Sequence, residues 1–140
     1  MAKLIVDASV VIASLLPDEP YRDPALQLLS QFLLDDLKLL TVPLLKYEVT
    51  NAVWKALKIG RIKPSDAEET LREFEVMNIP ENQVSCIETL KIAYLYDRST
   101  YDSAYLALAQ AQKASLVTAD KKLYNTLKGK FGYLLWVEDF

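Results

Sequence analysis

The amino-acid sequence predicts an α/β domain in three layers, in which helices cover both faces of a mainly parallel sheet of about four to five strands. Short, continuous apolar runs recur along the chain, and such runs are typical of strands that are buried on both faces. Longer segments with apolar residues at helical spacing separate these runs, and this alternation favours parallel pairing. The length of 140 residues is typical of one domain, so we assign residues 1–140 to a single domain.

The first half of the chain is predicted to hold two strands and four helices. Leu4–Val6 is the first strand, and Pro17 ends a short helix over Val10–Leu16, because the residue before a proline avoids the helical conformation. The other elements of this half are a helix over Pro24–Asp36, a strand over Lys38–Val42, a helix from Pro43 to about Lys58 that Gly60 terminates, and a helix that begins at Pro64.

The second half is predicted to add three helices and two strands, with one ambiguous segment. Residues Val76–Val84 fit no single pattern, and one interpretation is a short third strand that ends at Ile79-Pro80. The remaining elements are a helix marked by Ile87, Leu90, Lys91 and Tyr94, a helix from Tyr101 to about Lys113 that Ser99-Thr100 caps, a strand over Ser115–Thr118, a helix over Lys121–Lys128 and a strand over Tyr133–Val137.

The residue types that the chain lacks restrict its chemistry. It contains no histidine, which excludes a Ser-His-Asp triad, a Cys-His pair and an imidazole zinc site. Cys86 is the only cysteine, so an internal disulfide and a thiolate zinc site are excluded as well. Any acid–base or metal chemistry would therefore depend on carboxylates, lysine, tyrosine or hydroxyl groups.

The expected location is the cytoplasm. A chain without a cysteine pair is typical of reducing compartments, and no run of 18 apolar residues is present that could span a membrane. The apolar N-terminal stretch resembles part of a signal peptide. Asp7 interrupts that stretch, however, and Pro17–Pro20 follows it without a small-residue cleavage site.

Two aspartates follow predicted strands. Asp7 comes directly after Leu4–Val6, and Asp120 lies two residues beyond Ser115–Thr118. Ligand sites of open parallel sheets form at the carboxyl ends of the strands, so both carboxylates are candidates for a site at that edge. Taken singly, each of them is better explained as the N-cap of the helix that follows.

Two further acids lie on predicted helices. Asp102 shares one helix face with Leu106 and Ala109, which places a carboxylate in the first turn on an apolar side. A buried carboxylate needs a partner or a metal ion, although the helix dipole also favours an acid in the first turn. Glu48 lies at the edge of an apolar stripe centred near Val49, and a solvated glutamate paired with a lysine is an equally good interpretation.

The four acids Asp7, Glu48, Asp102 and Asp120, here called the acidic quartet, would form an oxygen-rich site if the fold brings them together. Without imidazole or thiolate, such a site suits Mg²⁺ or Mn²⁺, which prefer oxygen ligands. A divalent ion would also offset the mutual repulsion of the carboxylates. The chemistry that such a cluster supports is hydrolysis of phosphodiester bonds. Spacing along the sequence does not by itself establish that the four converge.

Four short segments carry these acids: Leu-Ile-Val-Asp-Ala-Ser at 4–9, Tyr-Glu-Val-Thr-Asn at 47–51, Tyr-Asp-Ser-Ala-Tyr-Leu-Ala-Leu-Ala at 101–109 and Leu-Val-Thr-Ala-Asp at 116–120. In this order, and over the whole chain, they resemble the PIN-domain family, and within it the small VapC-type toxins of bacteria and archaea. The resemblance implies an Mg²⁺- or Mn²⁺-dependent endoribonuclease that leaves 5′-phosphate and 3′-hydroxyl ends. It also implies a homodimer and a cognate antitoxin protein.

The resemblance further implies roles for single residues. The acidic quartet matches the family's acids, of which the aspartates bind metal while Glu48 assists through metal or water. Thr118 matches the family's hydroxyl beside the last acid, Ser9 the polar residue after the first, and Asn51 an accompanying asparagine. Asp97-Arg98-Ser99 departs from the glycine-containing lead-in of the third motif. Directly after Thr118 only one acid, Asp120, precedes Lys121-Lys122, so the binding of a second metal ion stays open. The resemblance identifies neither the RNA nor the antitoxin.

The distribution of charge predicts modest contacts to RNA. The formal net charge is −3, and neutralising the acidic quartet would leave a nearly neutral surface. We interpret two basic groups as solvated helix faces, with phosphate contact as the alternative, and we expect most tyrosines to be core or interface residues and not base-stacking ones. The two groups are Lys55, Lys58, Arg61 and Lys63, and Lys121, Lys122, Lys128 and Lys130.

Two other classes of function were weighed against a nuclease. A haloacid-dehalogenase-like phosphatase would need a second aspartate where Ser9 stands, and a receiver domain would need a second acid beside Asp7. Neither residue is present. A catalytically silent module that binds only RNA or protein stays open, although it would retain the acidic quartet without using it.

Overall fold

The computed structural model describes all 140 residues and contains four strands and seven helices. In chain order these are β1 (Lys3–Val6), α1 (Ala8–Leu15), α2 (Arg22–Leu33), β2 (Lys38–Leu40), α3 (Leu45–Lys58), α4 (Pro64–Met77), α5 (Cys86–Tyr96), α6 (Thr100–Gln112), β3 (Leu116–Thr118), α7 (Lys121–Leu127) and β4 (Leu134–Trp136). None of the helices has the length and apolar character needed to cross a bilayer.

All four strands are parallel and lie in the order β2-β1-β3-β4. The central strand β1 pairs Leu4 with Leu39 of β2 on one side and Val6 with Val117 of β3 on the other. The chain runs from β1 to β2 and then crosses back over β1 to reach β3, so its direction along the sheet reverses between β1 and β3. A crevice forms at the carboxyl ends of two such strands. The predicted α/β class and parallel sheet of four to five strands are confirmed.

Two groups of helices form the outer layers. Helices α1 to α4 pack against one another, whereas α6 packs on β1 and β3 and carries α5 against its own surface. Small side chains such as Ala107 and Ala109 allow α6 to approach the sheet, and Leu106 is fully buried beside them. Ile5 and Val6 of β1 have no exposed surface, as the continuous apolar run predicted.

The suggested third strand ending at Ile79-Pro80 is wrong. The chain there makes only an isolated bridge between Thr41 and Glu81, in which Thr41 N donates to Pro80 O and Asn82 N donates to Thr41 O. Pro80 has no N–H to donate, so the segment cannot extend the ladder beyond this bridge. The helix predicted from Pro43 begins two residues later, at Leu45. The other predicted boundaries agree with the structure within about three residues.

Helix α5 is correctly predicted, but the apolar residues that mark it do not form its buried face. Ile87, Leu90 and Tyr94 are exposed, and the buried residues are Thr89 and Ile92. The helix is apolar on most sides and contacts chiefly α6, so its sequence does not distinguish the inner face from the outer one.

Candidate active site

Asp7 and Asp120 lie at the carboxyl edge of the sheet, where β1 and β3 end. Each is also an N-cap: Asp7 Oδ1 accepts a hydrogen bond from Val10 N at 3.3 Å, and Asp120 Oδ1 accepts one from Leu123 N at 3.1 Å. Both aspartates are therefore helix N-caps and, at the same time, lie at the carboxyl edge of the sheet. Because the caps fix the side-chain rotamers, both carboxylates are held at the switch point of the sheet.

A network of hydroxyl groups surrounds the Asp7 carboxylate. Ser9 Oγ donates to Asp7 Oδ1 at 2.5 Å, and Thr118 Oγ1 donates to Asp7 Oδ2 at 2.6 Å. The same hydroxyls accept backbone N–H groups, from Ala119 at 2.9 Å for Ser9 and from Asp120 at 3.1 Å for Thr118. The predicted supporting residues Ser9 and Thr118 thus join the ends of β1 and β3 through one carboxylate.

The burial of Asp7 perturbs its ionisation. The side chain is only 8% exposed, and loss of solvation raises its pKa from 3.8 to about 6. The hydrogen bonds from Ser9, Thr118 and Val10 lower the pKa in part, while the negative charge of Asp120 raises it. A nearby cation would stabilise a carboxylate that is shielded from water and lies beside a second carboxylate.

Glu48 reaches the same edge from α3 and is held by one side chain of α6. Tyr105 Oη donates to Glu48 Oε1 at 2.5 Å. Burial, followed by this hydrogen bond and the negative charges of Glu48, Asp7 and Asp102, raises the pKa of the Tyr105 phenol above its usual value. The phenol therefore stays protonated and serves as a fixed donor, which leaves the second oxygen of Glu48 without a hydrogen bond.

Asp102 lies in the first turn of α6 and pairs with an arginine. Arg98 Nη2 donates to Asp102 Oδ2 at 2.8 Å, and the two side chains are 17% and 33% exposed. The backbone N–H of Asp102 is capped by Ser99 Oγ at 3.1 Å. The expected apolar face is present, since Leu106 and Ala109 are buried, but Asp102 itself is only half-buried and Arg98 is the partner that the sequence left unassigned.

The acidic quartet lines one cleft of about 90 Å³, together with Ser9 and Tyr105, and no lysine or arginine lines it. No three acidic side chains stand close enough together to ligate one ion in their present rotamers. Each of the four carboxylates accepts a hydrogen bond from the protein. The donor set still fits a hard cation, because it consists of carboxylate oxygens and Glu48, Asp102 and Asp120 each keep one oxygen without a hydrogen bond.

The remaining predicted site residue, Asn51, lies outside the cleft. Asn51 is exposed one turn beyond Glu48 on α3, and it does not line the cleft. Sequence reasoning missed Tyr105 and Arg98 as partners of the acids. Only Arg98 carries a signal in its spacing, because it precedes Asp102 by four residues, whereas Tyr105 and its partner Glu48 are 57 positions apart.

Comparison with known proteins identifies the family. The PIN domain model matches residues 4–128. The chain is 30% identical over 125 residues to Ribonuclease VapC3 of Pyrobaculum aerophilum, covering 86% of this chain and 92% of that protein. It is 31% identical over 96 residues to Exonuclease VapC9 of the same organism, covering 66% and 69% of the two chains.

A solved structure shares the fold. The crystal structure of PAE2754 from Pyrobaculum aerophilum superimposes with a TM-score of 0.73 at 22% identity, and the match covers 98% of this chain and 90% of that one. At this level of identity the likeness concerns the fold alone. The family model, which matches most of the sequence, and the relative that is 30% identical establish that the chain belongs to the PIN-domain family, among its VapC-type members.

Proposed function

We propose that the protein is a metal-dependent endoribonuclease and the toxin of a toxin–antitoxin pair. The observation that carries the proposal is the cleft at the switch point of the sheet, which is lined by four carboxylates and by no basic side chain. Two relatives that bear the names ribonuclease and exonuclease support it. Family membership alone would not, because one fold hosts several functions.

Mg²⁺ or Mn²⁺ is the cofactor that these donors suit. Asp7, Asp102 and Asp120 would hold the ion, and Glu48 would complete the site through the ion or through water. The bound ion would supply charge stabilisation to the phosphate and a more acidic water molecule. The proposal does not fix whether one or two ions bind, since Asp120 is the only acid in the segment directly after Thr118, and Lys121-Lys122 follow it.

The chain's own residues have definable tasks in the proposed hydrolysis. Asp7 stays anchored by Ser9 and Thr118, so its position would be constant through the reaction. Glu48, fixed at one oxygen by Tyr105, has a free oxygen for orienting a water molecule in line with the scissile phosphate. In-line attack by water on phosphorus would form a P–O bond and break the bond to the 3′-oxygen, which leaves protonated. The products would carry 5′-phosphate and 3′-hydroxyl ends, and no covalent intermediate would form.

The proposed partners follow from the same cleft. A cognate antitoxin protein would inhibit by placing a helix or a basic side chain into this acidic cleft. We also propose a homodimer and a cytoplasmic location, as the resemblance and the cysteine content suggest.

Cleavage of a labelled RNA of mixed sequence by the purified protein tests the activity, with Mn²⁺, with Mg²⁺ and with chelator in parallel. We expect cleavage only with metal, and we expect Asp102→Asn to abolish it. Asp66→Asn, which changes an exposed acid on α4, is the matched control and should cleave normally. Cleavage that persists in chelator, or in Asp102→Asn, would show that the acidic quartet is not the nuclease site.

One observation favours the silent RNA- or protein-binding module as a second candidate. Every carboxylate of the acidic quartet already has a protein donor, and no three are assembled as ligands. Titration with Mn²⁺ followed by thermal unfolding separates the two functions. A nuclease should gain a higher Tm as metal binds, whereas a module that uses no metal should show no shift.

A further inference from the structure

Helix α3 carries a second feature beside the cleft. Five side chains on its outer surface, here called the α3 stripe, are exposed and lie three or four residues apart or side by side: Tyr47, Asn51, Trp54, Lys55 and Lys58. They occupy the face opposite the buried residues Leu45, Val49, Val53 and Ala56. The stripe begins next to Glu48, so it leads directly away from the cleft.

The two aromatic side chains of the α3 stripe stand in register with each other. Tyr47 and Trp54 are 66% and 52% exposed and seven residues apart, which places them on one face about 10 Å apart along the helix axis. A cation accompanies each ring. Lys46 Nζ lies 5.5 Å from the Tyr47 ring centroid, although it also pairs with Glu81 Oε1 at 3.6 Å, and Lys58 Nζ lies 5.1 Å from the Trp54 ring centroid.

The charge of the α3 stripe is positive. Neither Lys55 nor Lys58 forms an ion pair, and Glu48, the only acid of α3, faces the cleft. The neighbouring helix α4 carries an excess of acids, so a polyanion would be favoured along α3 and disfavoured across α4.

The exposed face of α5 is a comparison for the α3 stripe, because it is also apolar but has no unpaired lysine. Ile87, Leu90 and Tyr94 are exposed there as well, but the single nearby cation, Lys91, pairs with Glu88 at 3.5 Å. An apolar face of this kind suits a protein surface, whereas aromatic rings alternating with free lysines suit nucleic acid.

We propose that the α3 stripe binds the single-stranded RNA substrate and leads it to the cleft. This inference rests on the proposed nuclease function. Tyr47 and Trp54 stack on bases about three base steps apart, and Lys55 and Lys58 contact phosphates. Duplex RNA is excluded from this binding mode, because its bases are stacked on one another and cannot reach the rings.

Fluorescence anisotropy with a labelled oligouridine of about 12 nucleotides measures the binding without cleavage when chelator is present. We expect Tyr47→Ala and Trp54→Ala each to weaken binding about 5- to 100-fold, and Trp54→Phe to retain most of the affinity. Tyr94→Ala removes from α5 a ring that is 91% exposed, more than either ring of the α3 stripe, and this variant is expected to leave binding unchanged. Lys55→Gln should lower the slope of log Kd against log salt by about 0.7.

The outcomes separate this inference from the proposed function. Affinities of the two alanine variants equal to that of the parent, or no binding by the parent, would overturn the inference and leave the α3 stripe to a protein partner. Cleavage measured with Mn²⁺ on the same preparations decides the nuclease independently. Binding that depends on Tyr47 and Trp54 without any cleavage would support the α3 stripe and remove the nuclease function.

Discussion

The cleft consists of two halves whose carboxylates are held in different ways. Asp7 and Asp120 follow strands, cap the next helices and are fixed by backbone and hydroxyl donors. Glu48 and Asp102 lie on helices, are half-buried, and each depends on one long side chain from α6 or its lead-in. The first half is fixed by backbone and hydroxyl donors and contains Asp7, the only buried acid of the four, although Asp120 is half-buried. The second half is adjustable, because each of its carboxylates is held by one side chain.

This difference indicates how a site of four acids can exist before a cation binds. Asp7, which follows a strand, is the carboxylate that loses its solvation. Hydrogen bonds from three donors reduce the free-energy cost of its ionised form without removing that cost. The two carboxylates on helices keep contact with solvent. Asp102 accepts a hydrogen bond from the charged Arg98, and Glu48 accepts one from the neutral Tyr105, so both side chains can reorient when a ligand binds. Four substitutions test the two halves separately.

The largest effect is expected for Asp7→Asn. Because folding raises the pKa of Asp7 from 3.8 to about 6, its contribution to stability is complete below about pH 4 and is lost as the pH rises through 6. The metal-free parent should therefore lose up to about 3 kcal/mol between these limits, and Asp7→Asn should not. Urea unfolding at both ends of this range measures the difference, and nuclease activity should fall by about 100-fold or more.

Asp66→Asn, on the exposed surface of α4, is the control for a simple loss of one negative charge. A parent whose stability is the same at both ends of the range would contradict the assignment of Asp7 as a desolvated carboxylate. It would also make the two halves of the cleft equivalent.

Thr118→Val should have the next largest effect on stability. The substitution keeps the shape of a fully buried side chain but removes the donor to Asp7 and the acceptor of Asp120 N. We expect a loss of about 1–3 kcal/mol at neutral pH and a steeper decline of stability with rising pH, since one of the bonds that lower the pKa of Asp7 is gone. Thr126→Val on α7 is the exposed control. An equal effect of both variants would argue against a special role for the buried hydroxyl.

Tyr105→Phe tests the adjustable half. The ring remains packed, but Glu48 loses its only hydrogen bond, so its carboxylate is no longer oriented. We expect the Mn²⁺ concentration for half-maximal cleavage to rise about tenfold, with a loss of stability of about 1 kcal/mol. Tyr101→Phe removes an exposed hydroxyl from the same helix and should change neither quantity. If Tyr105→Phe also changes neither, the orientation of Glu48 does not depend on the phenol.

Arg98→Gln is expected to have the smallest effect on stability. The ion pair with Asp102 is partly exposed, so its loss should lower stability by less than about 1 kcal/mol. Removing a positive charge beside a proposed metal ligand should lower the Mn²⁺ concentration for half-maximal cleavage several-fold. Arg72→Gln, which breaks exposed pairs on α4, provides the comparison. A higher Mn²⁺ requirement would instead show that Arg98 positions Asp102.

The strand-borne half of the cleft could be predicted from the sequence, whereas the helix-borne half could be predicted only in part. Buried parallel strands leave continuous apolar runs, and topology sends their carboxyl ends to one edge, so the positions of Asp7 and Asp120 follow from local pattern. The contact between Tyr105 and Glu48 depends on how α3 and α6 are placed, across 57 positions of sequence. Local spacing does not contain that information.

The second feature that the sequence predicts poorly is which face of a helix is exposed. Periodicity cannot orient α5, which is apolar around most of its circumference, so the sequence does not indicate that Ile87, Leu90 and Tyr94 lie on its exposed side. On α3 the single strong stripe of buried residues made the orientation clear. The exposure of Tyr47 and Tyr94 was not foreseen, because most tyrosines were expected in the core or in interfaces.

The link between Asp7 and Thr118 has a consequence for the order of events during protein synthesis. β1 is translated first, but β3, which pairs with it and supplies the hydroxyl to Asp7, follows more than 100 residues later. Contacts between residues so distant in the chain form late in folding. A ribosome-bound nascent chain that stops before residues 116–120 therefore lacks Asp120 and the Thr118 hydroxyl that holds Asp7. We expect such a chain to cleave no RNA, the messenger from which it is being translated included.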